Sequence, residues 1–331
     1  MTKQLSFSSA LGSAISDYLA LKKSLGRRFA VETRVLAHLD RFLVEMAHED
    51  ATLSPDSFET WSLTLGHLMP TVRRNRMRIV RNLCLYLRRT HPDCFIPDMA
   101  GFPASHPPRR PYIFTKGQIV RLLQATSALS SSSTSPLYPE VYRIAIVLLY
   151  TAGLRRGELI RLVDSDYDPV EHTLLIQASK FHKSRLVALS VDAAAEMDSY
   201  LQARRRLPHG PNAPLLVSRS GGLGPYTGAG LGMGLRRLFC RAGIRTAEGH
   251  PPRVHDFRHT YAVHALLGWY HAGIDVQAKL PVLSTAMGHV SIASTAYYLA
   301  YLDPVAQAAS DLFAQHCQPI LTATSTERDH R

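Results

Sequence analysis

The chain has 331 residues, of which 46% are apolar, and this length suits two domains better than a single core. A mean hydropathy of -0.06 and the lack of an apolar run long enough to span a bilayer argue against a disordered or a membrane-embedded chain. The formal net charge of +12 favours a polyanionic partner, and nucleic acid is the first expectation.

Helical patterns predict the first domain. Apolar residues recur at intervals of three and four through the first 90 residues, and breakers at Pro55 and Pro70 separate the segments. Residues 91–112 then hold six prolines, a composition typical of an extended segment. The sequence therefore predicts an all-helical domain over residues 11–95 and a proline-rich linker over residues 96–112.

One helix of this domain, residues 71–91, carries seven arginines and no acidic residue. Arg74, Arg78 and Arg81 are separated by four and three residues, so they share one face of the helix. Such a face is commonly just solvated. Because like charges repel one another unless an anion compensates them, contact with nucleic-acid phosphates is favoured, and these three arginines are predicted to bind DNA.

The remainder of the chain predicts a larger, mostly helical domain over residues 113–318 and a flexible tail over 319–331. Residues 172–190 offer two apolar, β-prone runs separated by a polar turn near Lys180, which predicts a small antiparallel sheet. The fold class is therefore mainly α, with a small helical domain followed by a larger α+β domain. After the hairpin, helices are predicted over residues 191–206, 228–242, 255–270, 275–287 and 291–301.

Polar side chains mark two turns of the larger domain. Arg155 and Glu158 are three residues apart at the head of a helix, so the carboxylate can fix the guanidinium, although a local ion pair alone would explain them. Lys180, near Lys183 and Arg185, lies at the predicted hairpin tip. A lysine there is usually solvated, but a desolvated lysine can give up a proton.

The segment "RVHDFRHTYAVHALLGWYHAG" carries four histidines on a predicted helix. His255 and His259 are four residues apart and could share a metal ion, whereas His255 and Arg258 could grip an anion together. A zinc site needs at least a third ligand, and no cysteine lies nearby while Asp256 leaves the helix on another side. The anion interpretation is therefore favoured, and no metal is predicted.

Five separated elements follow one order along the chain. They are "TAGLRRGEL", a hairpin lysine, "HDFR", "MGH", and a tyrosine nine residues after that histidine. This order resembles the tyrosine recombinases, also called the phage integrase family, over about residues 11 to 316. Tyr297 is adjacent to Tyr298, and the spacing favours Tyr298 as nucleophile only by analogy with that family. The resemblance implies that the catalytic residues are Arg155, Lys180, His255, Arg258, His289 and Tyr298, with Glu158 holding Arg155.

The resemblance also implies a mechanism for site-specific cleavage and rejoining of DNA. Arg155, Arg258 and His289 would stabilise negative charge on the phosphate, and Tyr298 would attack to form a 3′-phosphotyrosine. Lys180 would protonate the leaving 5′ oxygen, and His255 would accept the proton of Tyr298 or orient it. No cofactor is expected. The alternatives are a catalytically silent DNA-binding protein of this fold, a type IB topoisomerase and a metal-dependent nuclease.

The same resemblance implies how the protein engages its partners. The N-terminal domain would be a core-binding, SAM-like domain that forms a C-shaped clamp on double-stranded DNA together with the catalytic domain. Lys183 and Arg185 are expected to add DNA contacts. A homotetramer on paired sites is expected to exchange the helix over residues 303–317 between protomers, because its narrow apolar stripe needs a partner surface; packing against its own domain is the alternative.

The cysteines and the N-terminus indicate a cellular compartment. Cys84, Cys94, Cys240 and Cys317 show no paired short spacing, so neither a zinc site nor a disulfide framework is predicted. The first 21 residues lack an uninterrupted apolar stretch of the kind found in secretory signals. The sequence therefore predicts a cytoplasmic protein without membrane contact.

Overall fold

The structure, a computed structural model, describes residues 6–26, 29–104, 110–133, 135–177, 184–207, 210, 212–218, 224–299, 310 and 313–314. The chain divides into two compact units, Met1–Arg109 and Arg110–Arg331. Within the described residues, every helix is too short or too polar to cross a membrane.

The first unit is all-helical in its described part, as predicted. Pro55 and Pro70 lie in the first turns of two helices, where the missing N–H would have no helical acceptor. Ser54 caps the first of these helices, because its hydroxyl accepts a hydrogen bond from the backbone N–H of Ser57 at 3.1 Å. The four helices are α1 (Gly12–Ser24), α2 (Ala30–Glu45), α3 (Pro55–Leu63) and α4 (Pro70–Leu87).

The first part of the proline-rich segment, residues 97–103, is attached to this first unit. Phe102 is buried in its core, and two arginines of α4 hold the neighbouring backbone. Arg81 Nε donates to the carbonyl of Pro97 at 3.0 Å, and Arg74 Nη1 donates to the carbonyl of Pro103 at 3.0 Å. Residues 97–103 of the segment are therefore packed against α4, and backbone carbonyls there accept hydrogen bonds from two of its arginines.

The second unit contains helices and two small antiparallel sheets. Several helix bounds agree with the sequence-based ones within one or two residues. The helices are α5 (Lys116–Ser127), α6 (Tyr138–Thr151), α7 (Arg156–Leu159), α8 (Val191–Arg204), α9 (Gly228–Arg241), α10 (Asp256–His271), α11 (Val276–Met287) and α12 (Ala293–Ala296). The strands are β1 (Tyr167–Asp168), β2 (Thr173–Ile176), β3 (Arg185–Ala188), β4 (Val217–Ser218) and β5 (Gly224–Pro225).

The predicted hairpin is confirmed as β2 and β3, which pair antiparallel beside β1. Ile176 pairs with Arg185 at the end of the ladder nearest the connecting turn. Residues 178–183, which include Lys180 and Lys183, lie outside the described residues. The β4 and β5 pair was not predicted, because strands of two residues carry no readable alternation.

A buried frame supports the start of α10, which carries the expected "HDFR" element. Helix α6 is buried along most of its length and contacts α5, α8 and α10. The ring of Phe114 stacks on that of Phe257, with centroids 4.7 Å apart. The backbone N–H of Phe114 also donates to the hydroxyl of Thr260 at 3.0 Å. These contacts fix the first turns of α10 within the core of the second unit.

Candidate active site

A tight turn after α6 presents Arg155. Gly153 has a φ of 58°, in the left-handed region. A Cβ at this position would lie 2.4 Å from Cδ1 of Tyr261, so the close approach of the two elements requires glycine. The carbonyl of Gly153 accepts a hydrogen bond from Arg258 Nη1 at 2.7 Å. The turn therefore places Arg155 just before α7 and connects it to α10.

Three arginines, Arg155, Arg185 and Arg258, form a cluster, and Glu158 binds the first two of them. Its carboxylate is 2% exposed and accepts from Arg155 Nη1 at 2.7 Å and from the backbone N–H of Arg155 at 2.9 Å. Arg185 donates to the same carboxylate through Nη1 at 3.1 Å and Nη2 at 2.9 Å. Burial alone would raise the pKa of Glu158, but the hydrogen bonds from Arg185 and Arg155 outweigh it and lower the pKa to about 2. Glu158 is therefore ionised and shared by two guanidinium groups.

The C-terminal turn of α11 is held by arginines from three different elements. The carbonyls of residues 286–288 accept hydrogen bonds from three side chains in succession. The first accepts from Arg185 Nε at 2.9 Å, the second from Arg258 Nη2, and the third from Arg155 Nη2 at 2.9 Å. Cations are favourable at this end of a helix because the last carbonyls carry partial negative charge. This arrangement links the arginine cluster directly to His289, the next residue along the chain.

Arg258 is the most deeply buried of the three arginines, with 1% of its surface exposed. Desolvation lowers the pKa of Arg258 to about 10, and the nearby charge of Arg155 acts in the same direction. The guanidinium still carries its proton at neutral pH. Arg155 and Arg258, the arginine pair, thus hold two positive charges near each other in a partly desolvated site. Such a pair strongly attracts an anion such as a phosphate.

His289 and Tyr298 lie beside this arginine pair. Their rings are stacked with centroids 6.1 Å apart and an interplanar angle of 15°, and His289 Nδ1 is 2.8 Å from the hydroxyl of Thr295. Desolvation, followed by the charges of Arg258 and Arg155, lowers the pKa of His289 to about 4. Tyr298 is 3% exposed; burial raises its pKa, and the same two arginines act in the opposite direction. The site therefore contains a neutral imidazole next to a protonated phenol.

His255 and His259 complete the ring cluster. The rings of His255 and His259 are edge to face with centroids 4.7 Å apart, and His259 is 5.4 Å from Tyr298. Desolvation and then the charge of Arg258 lower the pKa of His255, whose side chain is still accessible at the surface. His259 is neutral, with a pKa of about 4 caused first by desolvation. The ring of His259 thus lies next to that of the expected nucleophile.

A metal site in the described part of the chain would need several converging ligands. Among those residues no group of three or more His, Cys, Asp or Glu side chains converges as metal ligands do. His255 and His259 contact each other with their rings edge to face.

The expected DNA-binding residues fall into four situations. Arg78 is exposed on α4, whereas Arg74 and Arg81 are partly buried and donate to backbone carbonyls. Lys183, like the expected acid Lys180, lies outside the described residues. Arg185 requires a correction: its side chain is only 8% exposed and its nitrogens donate within the protein, so its position argues against direct DNA contact.

A basic groove that the sequence did not indicate lies beside His255. It has a volume of about 590 Å³ and is lined by Arg156, Arg236 and Arg253 together with glycines of α7 and α9. Arg253 is 44% exposed although it pairs with Asp256 at 2.9 Å. No single helix carries these arginines, so sequence spacing could not reveal them as a group. They extend the positive surface away from the arginine pair.

The chain is similar to known proteins over most of its length. The model of the phage integrase family matches residues 113–303. The protein y4rB of Sinorhizobium fredii (strain NBRC 101917 / NGR234), which carries the name integrase/recombinase, is 31% identical over 295 residues, covering 86% of this chain and 91% of that protein. Tyrosine recombinase XerD of Caulobacter vibrioides (strain ATCC 19089 / CIP 103742 / CB 15) is 33% identical over 192 residues, which is 57% of each chain.

A solved structure shows the same fold. The XerH site-specific recombinase, in a post-cleavage complex with a palindromic difH substrate, superposes with a TM-score of 0.60 at 16% identity, over 84% of this chain and 78% of that one. The match of the family model covers more than half of the chain, including the arginine cluster and both tyrosines. The chain belongs to the phage integrase family.

Proposed function

We propose that this protein is a site-specific DNA recombinase that cleaves and rejoins strands through a 3′-phosphotyrosine on Tyr298. The observation that carries the proposal is the convergence of Arg155, Arg258 and His289 on a buried tyrosine, built from elements far apart in the sequence. Family membership and the recombinase names of its relatives support the same reaction.

The arginine pair supplies the charge that the reaction needs. Attack on a phosphodiester places additional negative charge on the non-bridging oxygens, and the donors that stabilise it must be oriented beforehand. Arg155 and Arg258 are oriented by Glu158 and by backbone carbonyls. In the tautomer in which Thr295 donates to Nδ1 of His289, Nε2 keeps its hydrogen and provides a further donor.

Two proton transfers complete the chemistry. The phenol of Tyr298 is protonated at neutral pH, so its proton needs an acceptor as the oxygen attacks phosphorus. We assign this role to His255, whose lowered pKa leaves a neutral imidazole. As this oxygen bonds to phosphorus, the bond between phosphorus and the 5′ oxygen breaks. We assign protonation of the leaving 5′ oxygen to Lys180. The phosphotyrosine retains the energy of the cleaved bond, so a 5′ hydroxyl can reverse the step and rejoin a strand.

We assign DNA binding to basic side chains on both units. In the second unit, Arg156, Arg236 and Arg253 line the groove next to His255 and are suited to flanking phosphates. Lys183 adds charge close in sequence to Lys180. In the first unit Arg78 is the exposed member of the α4 face, and Arg74 and Arg81 retain further N–H donors beyond those used on carbonyls.

Assembly on DNA is the remaining part of the proposal. We propose that the two units close on double-stranded DNA as a clamp and that a homotetramer forms on paired sites. The helix over residues 303–317 would dock on a neighbouring protomer. Most of that range lies outside the described residues, and Phe313, which is described, is 70% exposed. We further propose that the protein acts on DNA in the cytoplasm.

The experiment that tests the function is footprinting of the bound DNA, followed by sequencing of the joints that form when two bound sites are incubated together. We expect protection of inverted repeats and exchange of strands at one fixed position between them. Relaxation of supercoiled DNA without site preference would instead identify a topoisomerase. Protection without exchange would identify a silent DNA-binding protein, and cleavage abolished by EDTA would identify a metal-dependent nuclease.

A further inference from the structure

Arg185 occupies an internal position that its sequence context does not reveal. It begins β3, directly after the hairpin turn that contains Lys180, yet its side chain is 8% exposed. Each of its three nitrogens donates within the protein. Nε donates to the carbonyl of Ala286 at 2.9 Å, and Nη1 and Nη2 donate to Glu158 at 3.1 and 2.9 Å. A planar guanidinium is suited to join one carboxylate and one carbonyl in this way.

Both acceptors of Arg185 act on residues assigned to the reaction. Glu158 is also the partner of Arg155, so the two arginines share one buried carboxylate. Ala286 is in the last turn of α11, immediately before the turn that carries His289. Arg185 therefore lies between the hairpin, Arg155 and the turn that carries His289. It is linked to Arg155 through Glu158 and to that turn through Ala286.

Gly288 provides a second, independent observation. It has a φ of 65° and ends α11 in the left-handed conformation. A Cβ on Gly288 would lie 2.7 Å from Nη1 of Arg185 and 3.0 Å from its Cζ. Because Glu158 and Ala286 hold this guanidinium, it cannot move aside freely. Glycine at 288 thus serves the contact with Arg185 as well as the backbone turn.

We propose that Arg185 is a positioning residue for strand cleavage: it holds Glu158, and through it Arg155, in register with the turn that carries His289. Its role is to fix the donors that meet the phosphate, not to meet the phosphate itself. This inference rests on the proposed function, because its main measurement is DNA cleavage.

The test compares two nicked DNA substrates, one with a normal phosphate and one with a methylphosphonate at the cleaved position. The methylphosphonate lacks one charged oxygen, so its reaction depends less on a correctly placed cation. With the normal phosphate, we expect Arg185→Ala to slow adduct formation at saturating DNA by at least about 10-fold, the scale of a misplaced catalytic group. With the methylphosphonate, the deficits of Arg185→Ala and Arg155→Ala should shrink together.

Two outcomes would overturn the proposal. If the deficit of Arg185→Ala is equal on both substrates while that of Arg155→Ala shrinks, Arg185 only stabilises the fold. If Arg185→Ala weakens DNA affinity and flattens its salt dependence while saturated cleavage is normal, Arg185 is a DNA contact. Failure of the wild-type protein to form any adduct would instead contradict the proposed function, so the two failures are distinguishable.

A pair of glycine variants keeps the test valid if Arg185→Ala does not fold. Gly288→Ala strains the backbone and also displaces Arg185, whereas Gly273→Ala strains an equally left-handed turn, with a φ of 68°, where a Cβ meets no atom within 4 Å. We expect Gly288→Ala to reproduce the substrate pattern of Arg155→Ala and Gly273→Ala to leave cleavage unchanged. Equal behaviour of the two glycine variants would contradict the role of Arg185.

Discussion

Arg258 and Gly153 are 105 residues apart in the chain and are joined by a hydrogen bond of 2.7 Å from Nη1 to the carbonyl oxygen. This bond connects α10 to the turn that presents Arg155. Because Arg258 also donates to the carbonyl of Met287, the two assigned arginines and the histidine turn belong to one hydrogen-bonded unit. The site is thus preorganised by backbone carbonyls before any DNA is bound.

Removal of either arginine should therefore impair cleavage directly. We expect Arg155→Ala and Arg258→Ala each to reduce the rate of adduct formation by at least about 100-fold, the usual effect of losing one transition-state donor. Arg143→Ala is the matched control, because Arg143 forms an ion pair with Glu196 on a different surface of the second unit. Quenched-flow kinetics with a nicked substrate measures all three variants. A normal rate in Arg258→Ala would remove this arginine from the reaction.

The proton donor can be tested by changing the leaving group. A substrate with sulfur in place of the 5′ bridging oxygen releases a thiolate, which needs no proton to depart. We expect this substrate to restore much of the rate to Lys180→Ala but little to Arg155→Ala, with Lys183→Ala as the control for loss of a hairpin charge. Equal rescue of the Lys180 and Arg155 variants would show that Lys180 is not the acid.

The basic face of α4 should contribute to affinity rather than to chemistry. Neutralising Arg74, Arg78 and Arg81 together should weaken binding to all DNA sequences and flatten the slope of log K against log salt by roughly 0.9 for each phosphate that is no longer neutralised. The rate of cleavage at saturating DNA should change less. Among single variants, we expect the largest slope change from Arg78→Ala, since the other two arginines also donate to carbonyls. If the slope of log K against log salt is unchanged in the triple variant, this face of α4 is solvated surface without a role in DNA binding.

The C-terminal segment should couple assembly to strand exchange. Removal of the residues after Pro304 is expected to leave binding to a single site intact while abolishing cooperative binding to paired sites, because docking in trans is lost. Phe313→Ser, which changes one exposed apolar side chain in the intact chain, should weaken cooperativity in the same direction. Native gel shifts with one and two sites measure both. Normal cooperativity and normal exchange in the truncated protein would indicate docking in cis or no role.

Much of the fold was predictable because the signals that begin and end its helices are local in the sequence. The start of α9 at Gly228 follows the capping residue Thr227, and α11 begins after Asp275, whose carboxylate accepts from the first backbone N–H groups. Left-handed Gly288 ends α11 where the sequence predicts it. Such signals operate within a few residues, so a sequence shows them directly.

The parts that could not be predicted depend on contacts between distant residues. Arg185 was predicted to contact DNA, and in the sequence it lies near Lys180 and Lys183. The carbonyl that accepts a hydrogen bond from its Nε, however, belongs to a residue 101 positions away. Arg74 and Arg81 likewise donate to backbone carbonyls of the segment that was predicted to be an extended linker. Charge and spacing indicate that an arginine needs a partner, but they do not distinguish a phosphate from a backbone carbonyl.

The most direct test of the proposed reaction is the identity of the residue that becomes covalently attached to DNA. A nicked substrate should trap a denaturation-resistant adduct with the wild-type protein, and mass spectrometry of its peptides should place the 3′ phosphate on Tyr298. Tyr298→Phe should form no adduct while binding DNA normally, since only the attacking oxygen is removed, and Tyr297→Phe should remain active. An adduct that persists in Tyr298→Phe and disappears in Tyr297→Phe would contradict the assignment.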